Sequence, residues 1–133
     1  MARIAQHNIQ AWGLQQRVRI EVGDIRGRSA EPAFDLVTLY NNICYFAVDE
    51  RVALLARTRS LLRAGGALLL VTCCQGGNLG IEALNLWGAS NAHGGRLPEL
   101  GEMIEQLSQA GYSKVDTMRL VARDRFYAFH ARP

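Results

Sequence analysis

The sequence has no long run of apolar residues, almost no lysine and only three cysteines. The apolar runs, Ala67–Val71 among them, are far too short to span a bilayer. The chain does not open with a basic segment, an apolar stretch and a small-residue cleavage site, so we expect no export and no membrane attachment. These absences favour a cytoplasmic protein.

The basic residues are nearly all arginines, and they are scattered along the sequence. Fourteen of the fifteen are Arg, and against twelve acidic residues they give a formal net charge of +3. They occur singly, as in Arg51, Arg57, Arg59 and Arg63, which is typical of solvated helix faces. A nucleic-acid site more often clusters basic residues with aromatic ones, so we expect no nucleic-acid partner.

The cysteines do not indicate a disulfide framework or a metal site. Cys44, Cys73 and Cys74 cannot all pair, and their spacing is not that of metal ligands. Adjacent residues of a strand point to opposite faces, which argues against a bridge between Cys73 and Cys74. We therefore expect buried, reduced thiols and no bound metal.

The hydrophobic pattern predicts alternating strands and helices in a single domain, 1–133. The predicted elements are a helix over 2–13, strands over 18–22 and 34–39, a helix from Asp49 to Gly65-Gly66, a strand over 67–74, a helix from about Pro98 to Gly111, and strands over 113–120 and 125–131. The strand at 34–39 is nearly all apolar, which predicts cover on both faces. Residues 75–96 contain six glycines and are predicted to be irregular.

Such alternation with buried strands predicts an α/β fold with a mostly parallel sheet, and the last two strands predict a C-terminal antiparallel hairpin. Three segments narrow this further: Val22-Gly23-Asp24-Ile25, the strand starting Phe34-Asp35-Leu36-Val37, and Leu61-Leu62-Arg63-Ala64-Gly65-Gly66. With the hairpin, they resemble the class I S-adenosylmethionine-dependent methyltransferases. That Rossmann-like fold ends in an antiparallel strand inserted beside its neighbour. The alternative, another doubly wound nucleotide-binding enzyme, is disfavoured by the hairpin.

The resemblance covers the C-terminal two-thirds of the family's domain. The strand and glycine-rich loop that open the family do not precede Val18. The resemblance therefore implies a partial methyltransferase-like domain with a partly truncated sheet.

It also implies S-adenosyl-L-methionine as cofactor and a small molecule as substrate. Asp24 would accept a hydrogen bond from the adenine amino group, and Ile25 would lie against the base. Tyr40 and Asn41 would line the methionine end of the cofactor and the substrate mouth. Both groups follow predicted strands, so we expect them at one rim, where ligands bind in such sheets. The structural alternatives are that Gly23-Asp24 simply forms a turn, and that Tyr40 is a core residue followed by a loop.

The general base is the least defined part of the predicted site. In related O-methyltransferases a His that follows the central strand is the base, and alignment puts Cys44 there. A thiol with an ordinary pKa is a poor substitute. His93, in the segment that the resemblance places over the substrate, is the candidate catalytic residue; the alternative is an exposed loop histidine with no role. Trp87 in the same segment would pack on an aromatic substrate or hold its own loop.

The absent strands leave the apolar strand 34–39 with an open edge, which invites pairing. Three alternatives would cover this edge. Strand 18–22 would move over and pair with strand 34–39, a second copy of the chain would supply a strand, or the absent segment belongs to a longer natural chain. We expect a homo-oligomer through this edge. The first functional hypothesis is a small-molecule methyltransferase, with weak or no cofactor binding by this chain. The alternative is a non-catalytic methyltransferase-like module that assembles with itself or a partner through the edge.

Overall fold

The computed structural model describes residues 2–29, 31–91 and 94–133. Helices and strands in this part of the chain are α1 (Ala2–Ala11), β1 (Phe34–Tyr40), α2 (Arg51–Ser60), β2 (Leu62–Cys73), α3 (Leu79–Ser90), α4 (Leu100–Gln109), β3 (Lys114–Arg119) and β4 (Phe126–Arg132). Short 3-10 turns lie at Ile25–Gly27, Ile43–Tyr45 and Val48–Glu50. None of the described helices is long and apolar enough to cross a membrane.

The strands form one sheet in the order β1-β2-β4-β3. β1 runs parallel to β2, whereas β4 is antiparallel to both β2 and β3. The last strand of the chain is therefore inserted between β2 and its own hairpin partner, as predicted. The α/β class and the C-terminal antiparallel hairpin are confirmed.

Helices α2 and α4 pack on one face of the sheet and form the main core with it. The fully buried members of this core include Leu54 and Leu55 from α2, Met103 and Leu107 from α4, and Leu68, Leu70 and Phe129 from the sheet. Burial of large aliphatic and aromatic side chains on this scale is the principal stabilising contribution, at roughly 1.5–3 kcal/mol for each.

The predicted cover on both faces of β1 is wrong. Leu39 is buried and Val37 packs against the core, but Leu36 is 52% exposed and Tyr40 67% exposed. β1 lies at the edge of the sheet and pairs only with β2 among the described strands. Burial alternates along it, with Val37 and Leu39 toward the core and Leu36 and Tyr40 on the other face. Burial of that second face requires a further packed layer, which the pattern of one strand cannot predict.

The predicted strand at 18–22 is also wrong. These residues form no strand, and Val22 is 84% exposed. A strand forms only where its N–H and C=O groups find a neighbouring backbone, and no described strand runs beside this segment. The alternative in which this strand moves over and pairs with β1 is excluded for the same reason.

Two other predicted boundaries are shifted. Gly65-Gly66 does not end α2, which stops at Ser60; both glycines lie within β2, beside an irregularity in its register with β1. A Cβ on Gly66 would lie 3.0 Å from the Phe34 carbonyl oxygen, so the close approach of the strands needs glycine there. Asp49 is not the N-cap of α2 but lies in the turn before it.

Helices α1 and α4 occur where they were predicted. Gly13, at φ +65°, follows α1. α4 begins with a capping box, in which Glu99 and Glu102 each accept a hydrogen bond from the other's backbone N–H. Gly111, at φ +93°, comes just after its end.

Helix α3 lies in the segment that was predicted to be irregular. Asn78 begins it, because its side-chain oxygen accepts hydrogen bonds from the N–H groups of Gly80 at 2.9 Å and Ile81 at 3.1 Å. Gly80 and Gly88 within the helix lower its intrinsic helix propensity, which is why the sequence pattern did not reveal it.

Candidate functional site

Asp24 is held in a tight local network rather than at the end of a strand. It precedes the turn Ile25–Gly27, and its carboxylate accepts a hydrogen bond from the backbone N–H of Arg26 at 2.9 Å. The Arg26 guanidinium donates to Asp24 Oδ2 from Nη2 at 2.7 Å and from Nε at 2.9 Å. These bonds hold the pKa of Asp24 below its usual value. The half-exposed carboxylate is thus a charged acceptor, with lone pairs left for a further donor.

Arg26 connects this turn to the loop that follows β1. Its Nη1 lies 3.3 Å from Glu50 Oε1, and its guanidinium carbon lies 5.8 Å from the centre of the Phe46 ring. The sequence analysis missed this residue. An Arg two positions after an Asp in a predicted turn was the available signal, although Arg residues are so frequent in this chain that the signal is weak.

Asp24 and Ile25 line a cleft of about 710 Å³ that runs along the open side of β1, here called the edge cleft. One wall consists of residues 21–25 with Gly27 and Arg28, and the other includes Phe34, Leu36 and Val37. Mostly apolar walls with a few charged groups at a cleft of this size are typical of small-molecule sites. An adenine ring fits this chemistry, since Asp24 can accept from its amino group and the apolar side chains can cover its faces.

Tyr40 and Asn41 lie at the carboxyl end of β1. Tyr40 is largely exposed, so it is not a core residue, and its ring meets Phe126 edge to face with 6.4 Å between the centroids. Asn41 adopts a left-handed backbone conformation at φ +52°, and its N–H donates to the Val71 carbonyl at 2.7 Å. Neither residue lines the edge cleft, which reaches only as far along β1 as Val37. The predicted site residues therefore lie in two places, with Asp24 and Ile25 in the turn that lines the edge cleft and Tyr40 and Asn41 at the carboxyl end of β1.

The candidate base, His93, lies outside the described residues. Cys44, in the position where related enzymes were expected to carry a His, is buried, and burial raises the pKa of its thiol. A buried thiol that stays protonated is a poor base. On the same side of the molecule, Tyr45 and Trp87 form an exposed edge-to-face pair, with 6.1 Å between their centroids and 88° between their planes.

The three cysteines form no disulfide with one another. Cys44 and Cys74 are buried and Cys73 is half-buried. Burial raises the pKa of Cys74 to about 12. Among the described residues, no three His, Cys, Asp or Glu side chains are grouped so that they could hold a metal ion.

The strand order and the inserted final strand define the fold class: the described chain has the fold of class I S-adenosylmethionine-dependent methyltransferases. Comparison with solved structures shows the same. The structure of PigF with SAH superimposes with a TM-score of 0.85 at 17% identity, covering 99% of this chain and 40% of that one. The apo form of the S-adenosylmethionine-dependent methyltransferase SibL gives a TM-score of 0.83 at 19% identity, covering 98% of this chain and 40% of that one.

A third similar structure contains two bound compounds. The O-methyltransferase NcsB1 from neocarzinostatin biosynthesis, in complex with S-adenosyl-L-homocysteine (SAH) and 1,4-dihydroxy-2-naphthoic acid, gives a TM-score of 0.79 at 19% identity, covering 98% of this chain and 38% of that one. This chain thus spans about 40% of the length of the structures it resembles. No protein-family model and no curated protein matches the sequence.

Proposed function

We propose that this chain functions in the transfer of a methyl group from S-adenosyl-L-methionine to a small molecule. The observation that carries the proposal is the likeness of nearly the whole chain to a structure with SAH, at a TM-score of 0.85. The cofactor, when bound, supplies a methyl group activated on a sulfonium. The protein's task in such a transfer is to hold donor and acceptor in line and to keep water away.

In this proposal Asp24 and Ile25 hold the adenine. The carboxylate of Asp24 accepts from the adenine amino group, while Arg26 keeps the carboxylate ionised and fixed in direction. Ile25 is partly buried against the core, so its side chain offers the adenine ring a stable apolar surface. Position in the edge cleft, with an apolar wall opposite, supports this assignment.

Tyr40 and Asn41 are proposed to lie near the transferring methyl group and the acceptor. Their position at the carboxyl end of β1 supports this, because ligands of open α/β sheets bind beyond that end of the strands. His93 is the proposed general base. Its role is tested by substitution with Gln, which should lower methyl transfer to an acidic hydroxyl more at low pH than at high pH, where the acceptor is already ionised.

The affinity of this chain for the cofactor is expected to be low. In the family that the sequence resembles, the methionine and ribose ends are held by a glycine-rich loop and an acidic residue ahead of the segment matched by Val18–Ile25. The contacts proposed here, at the adenine and near the methyl group, leave the ribose and most of the methionine without partners.

Saturation-transfer NMR with SAH tests the proposal, because it detects weak binding and shows which part of the ligand touches the protein. The adenine protons should receive more saturation than the homocysteine protons. Asp24→Ala should abolish the difference, while Asp116→Ala, at an exposed aspartate of β3, should leave it unchanged. Absence of saturation at the adenine protons at millimolar SAH would overturn the proposal.

A second candidate function is assembly through the open side of β1, and the partner we infer is a second copy of the chain. Within the described residues, nothing pairs with this side of the strand, and Leu36 on it is 52% exposed. Identical edges can pair antiparallel about a two-fold axis, so that the same residues serve on both sides. Such pairing would cover apolar surface that β1 and Val22 leave exposed.

Light scattering at high protein concentration tests this inference. The chain should be a dimer, and Leu36→Lys should make it monomeric, because a charged side chain on an edge strand blocks further pairing. Leu86→Lys, at a residue of α3 that is 73% exposed, is the matched control and should remain dimeric. A monodisperse monomer of the parent chain would contradict the inference.

A further inference from the structure

Arg51, the first residue of α2, is completely buried. Its Nε donates to the Phe46 carbonyl at 3.3 Å, and its Nη2 donates to the Arg96 carbonyl at 2.5 Å. Its Nη1 has no hydrogen-bond partner among the described residues. This buried, charged side chain thus donates hydrogen bonds to the carbonyls of two loops that lie far apart in the sequence.

No carboxylate compensates the Arg51 charge by direct contact in the described part of the chain. Glu102 is near enough to favour the charged form of Arg51, but its carboxylate accepts hydrogen bonds from other groups, among them the Arg96 guanidinium at 2.7 and 2.9 Å. Burial lowers the pKa of Arg51. A buried charge in such surroundings stabilises a fold no better than an apolar side chain of similar volume, and often less. A contribution to fold stability therefore does not explain the burial of Arg51. The geometry that Arg51 imposes on the two loops can explain it.

The two segments that Arg51 joins are packed at backbone contact distance. The N–H of Gly95 donates to the Cys44 carbonyl at 3.0 Å. A Cβ on Gly95 would lie 2.7 Å from Arg51 Nη2 and 2.9 Å from the Phe46 carbonyl oxygen. A Cβ on Gly88 of α3 would lie 2.8 Å from the Gly95 carbonyl oxygen. The loop after β1, residues 94–96 and the end of α3 are consequently fixed relative to one another around this guanidinium.

The exposed aromatic pair stands at this junction. Tyr45 directly precedes Phe46, whose carbonyl Arg51 holds, and Trp87 directly precedes Gly88, which packs on Gly95. The two rings are 58% and 49% exposed and nearly perpendicular. Two perpendicular rings form a corner that offers a ligand ring both a face and an edge, the geometries that aromatic rings prefer. The corner follows Tyr40 and Asn41 at the carboxyl end of β1.

We propose that Arg51 is a positioning residue that holds Tyr45 and Trp87 at right angles, and that this pair is the wall against which an aromatic acceptor ring lies. This inference rests on the proposed methyl-transfer function, since it names part of the acceptor site. Arg51 acts only through the two carbonyls and does not touch the acceptor.

The test uses the chain with Trp12→Phe, which leaves Trp87 as the sole tryptophan. Arg51→Met and Gly95→Ala are introduced separately. The first removes the guanidinium, and the second displaces it while keeping it. Arg59→Met, at an exposed residue of the same helix, is the matched control. The measurements are the thermal midpoint, the near-ultraviolet circular dichroism of Trp87, and the affinity for 1,4-dihydroxy-2-naphthoic acid in equilibrium dialysis.

Arg51→Met should keep or raise the thermal midpoint, yet lose the dichroism band of Trp87 and bind the naphthoic acid up to about tenfold more weakly. Gly95→Ala should also lose the dichroism band of Trp87 and bind the naphthoic acid more weakly. If Arg51→Met does not fold, the result for Gly95→Ala tests the positioning role. Retention of both band and affinity in the variants would overturn the positioning role. Absence of naphthoic acid binding by the parent chain would overturn the proposal that Tyr45 and Trp87 form the acceptor wall. The saturation-transfer experiment with SAH would still test the methyl-transfer proposal independently.

Discussion

Asp24 and Arg26 form a bidentate ion pair within one short turn, with 2.7 Å between Nη2 and Oδ2. The pair explains how Asp24 is oriented although the strand expected before it does not form. Arg26 also reaches Glu50, so the turn is tied to the start of α2. A residue proposed to bind adenine is thereby fixed from two sides before any ligand arrives.

Replacing Arg26 with Gln should raise the pKa of Asp24 toward the usual range for aspartate, because the hydrogen bonds from Arg26 are what lower it. A group with a lowered folded-state pKa contributes stability above its unfolded pKa, and that contribution is lost as the pH falls through the folded value. NMR titration of the Asp24 carboxyl carbon measures the change directly. Arg63→Gln is the control, and an identical midpoint in Arg26→Gln and the parent would refute the assignment.

The buried hydroxyls of Thr58 and Tyr112 join α2 to the segment after α4, with 2.9 Å between their oxygens. Thr58 also donates to the Leu55 carbonyl at 2.7 Å, so Tyr112 is the donor between the two hydroxyls. Tyr112→Phe should cost about 0.5–1.5 kcal/mol of unfolding free energy. Thr58→Val leaves the Tyr112 hydroxyl buried with only a 3.5 Å contact to Leu55, and should cost about 1–3 kcal/mol.

The two changes should not be additive, because the double variant leaves no unpaired hydroxyl. Urea denaturation of the four proteins gives the coupling energy. A double variant whose loss equals the sum of the single losses would show that the two hydroxyls are energetically independent.

The buried thiol of Cys74 should make the protein less stable in alkali. Burial raises its folded-state pKa to about 12, whereas an unfolded cysteine loses its proton near pH ~8.5. Between these values the unfolded chain binds fewer protons than the native chain, so stability falls as the pH rises. Urea midpoints from pH 8 to pH 10 measure the slope. Cys74→Ala should have a shallower slope, and Cys73→Ala, at the half-buried neighbour, should change it less.

Glu102 should stabilise the start of α4, because its carboxylate accepts two hydrogen bonds from Arg96, one from the backbone N–H of Glu99 at 3.2 Å and one from Gln106 at 3.4 Å. Glu102→Gln should cost about 1–2 kcal/mol, given the partial exposure of the ion pair. Although burial raises the pKa of Glu102, the bonds from Arg96 and Glu99 lower it overall. The stabilisation should therefore be present at neutral pH and decline in acid. Glu105→Gln on the same helix is the control; equal losses for the two variants would contradict the assignment.

Much of the fold could be predicted because its signals are local. The apolar periodicity of α2 and α4, the apolar run of β2 and the alternation in the final hairpin each lie within a dozen residues. The strand at 18–22 could not be judged in this way, since a strand depends on a partner elsewhere in the chain. Helix α3 was hidden for the opposite reason: its glycines argue locally against a helix that its Asn78 cap and surroundings stabilise.

The site residues stay predictions. Asp24 was predicted to bind adenine, and the alternative that Gly23-Asp24 forms a turn agrees with the observed geometry. The sequence could not show that Arg26 pairs with Asp24, or that Tyr40 lies at a different stretch of β1 from the edge cleft. Arg51 was taken for a solvated helix residue, since an isolated Arg in a helical segment gives no sign of burial. Pairings of this kind arise only from tertiary contacts.

The central claim is that this chain carries the adenine side and the acceptor side of a methyl-transfer site. Titration of the isotope-labelled chain with SAH, followed through its backbone amide NMR signals, tests it most directly. The account predicts binding weaker than micromolar, with the largest shifts at Asp24, Ile25, Tyr40 and Asn41. Shifts confined to other regions, such as the β3–β4 hairpin, or no shifts at millimolar SAH, would contradict it.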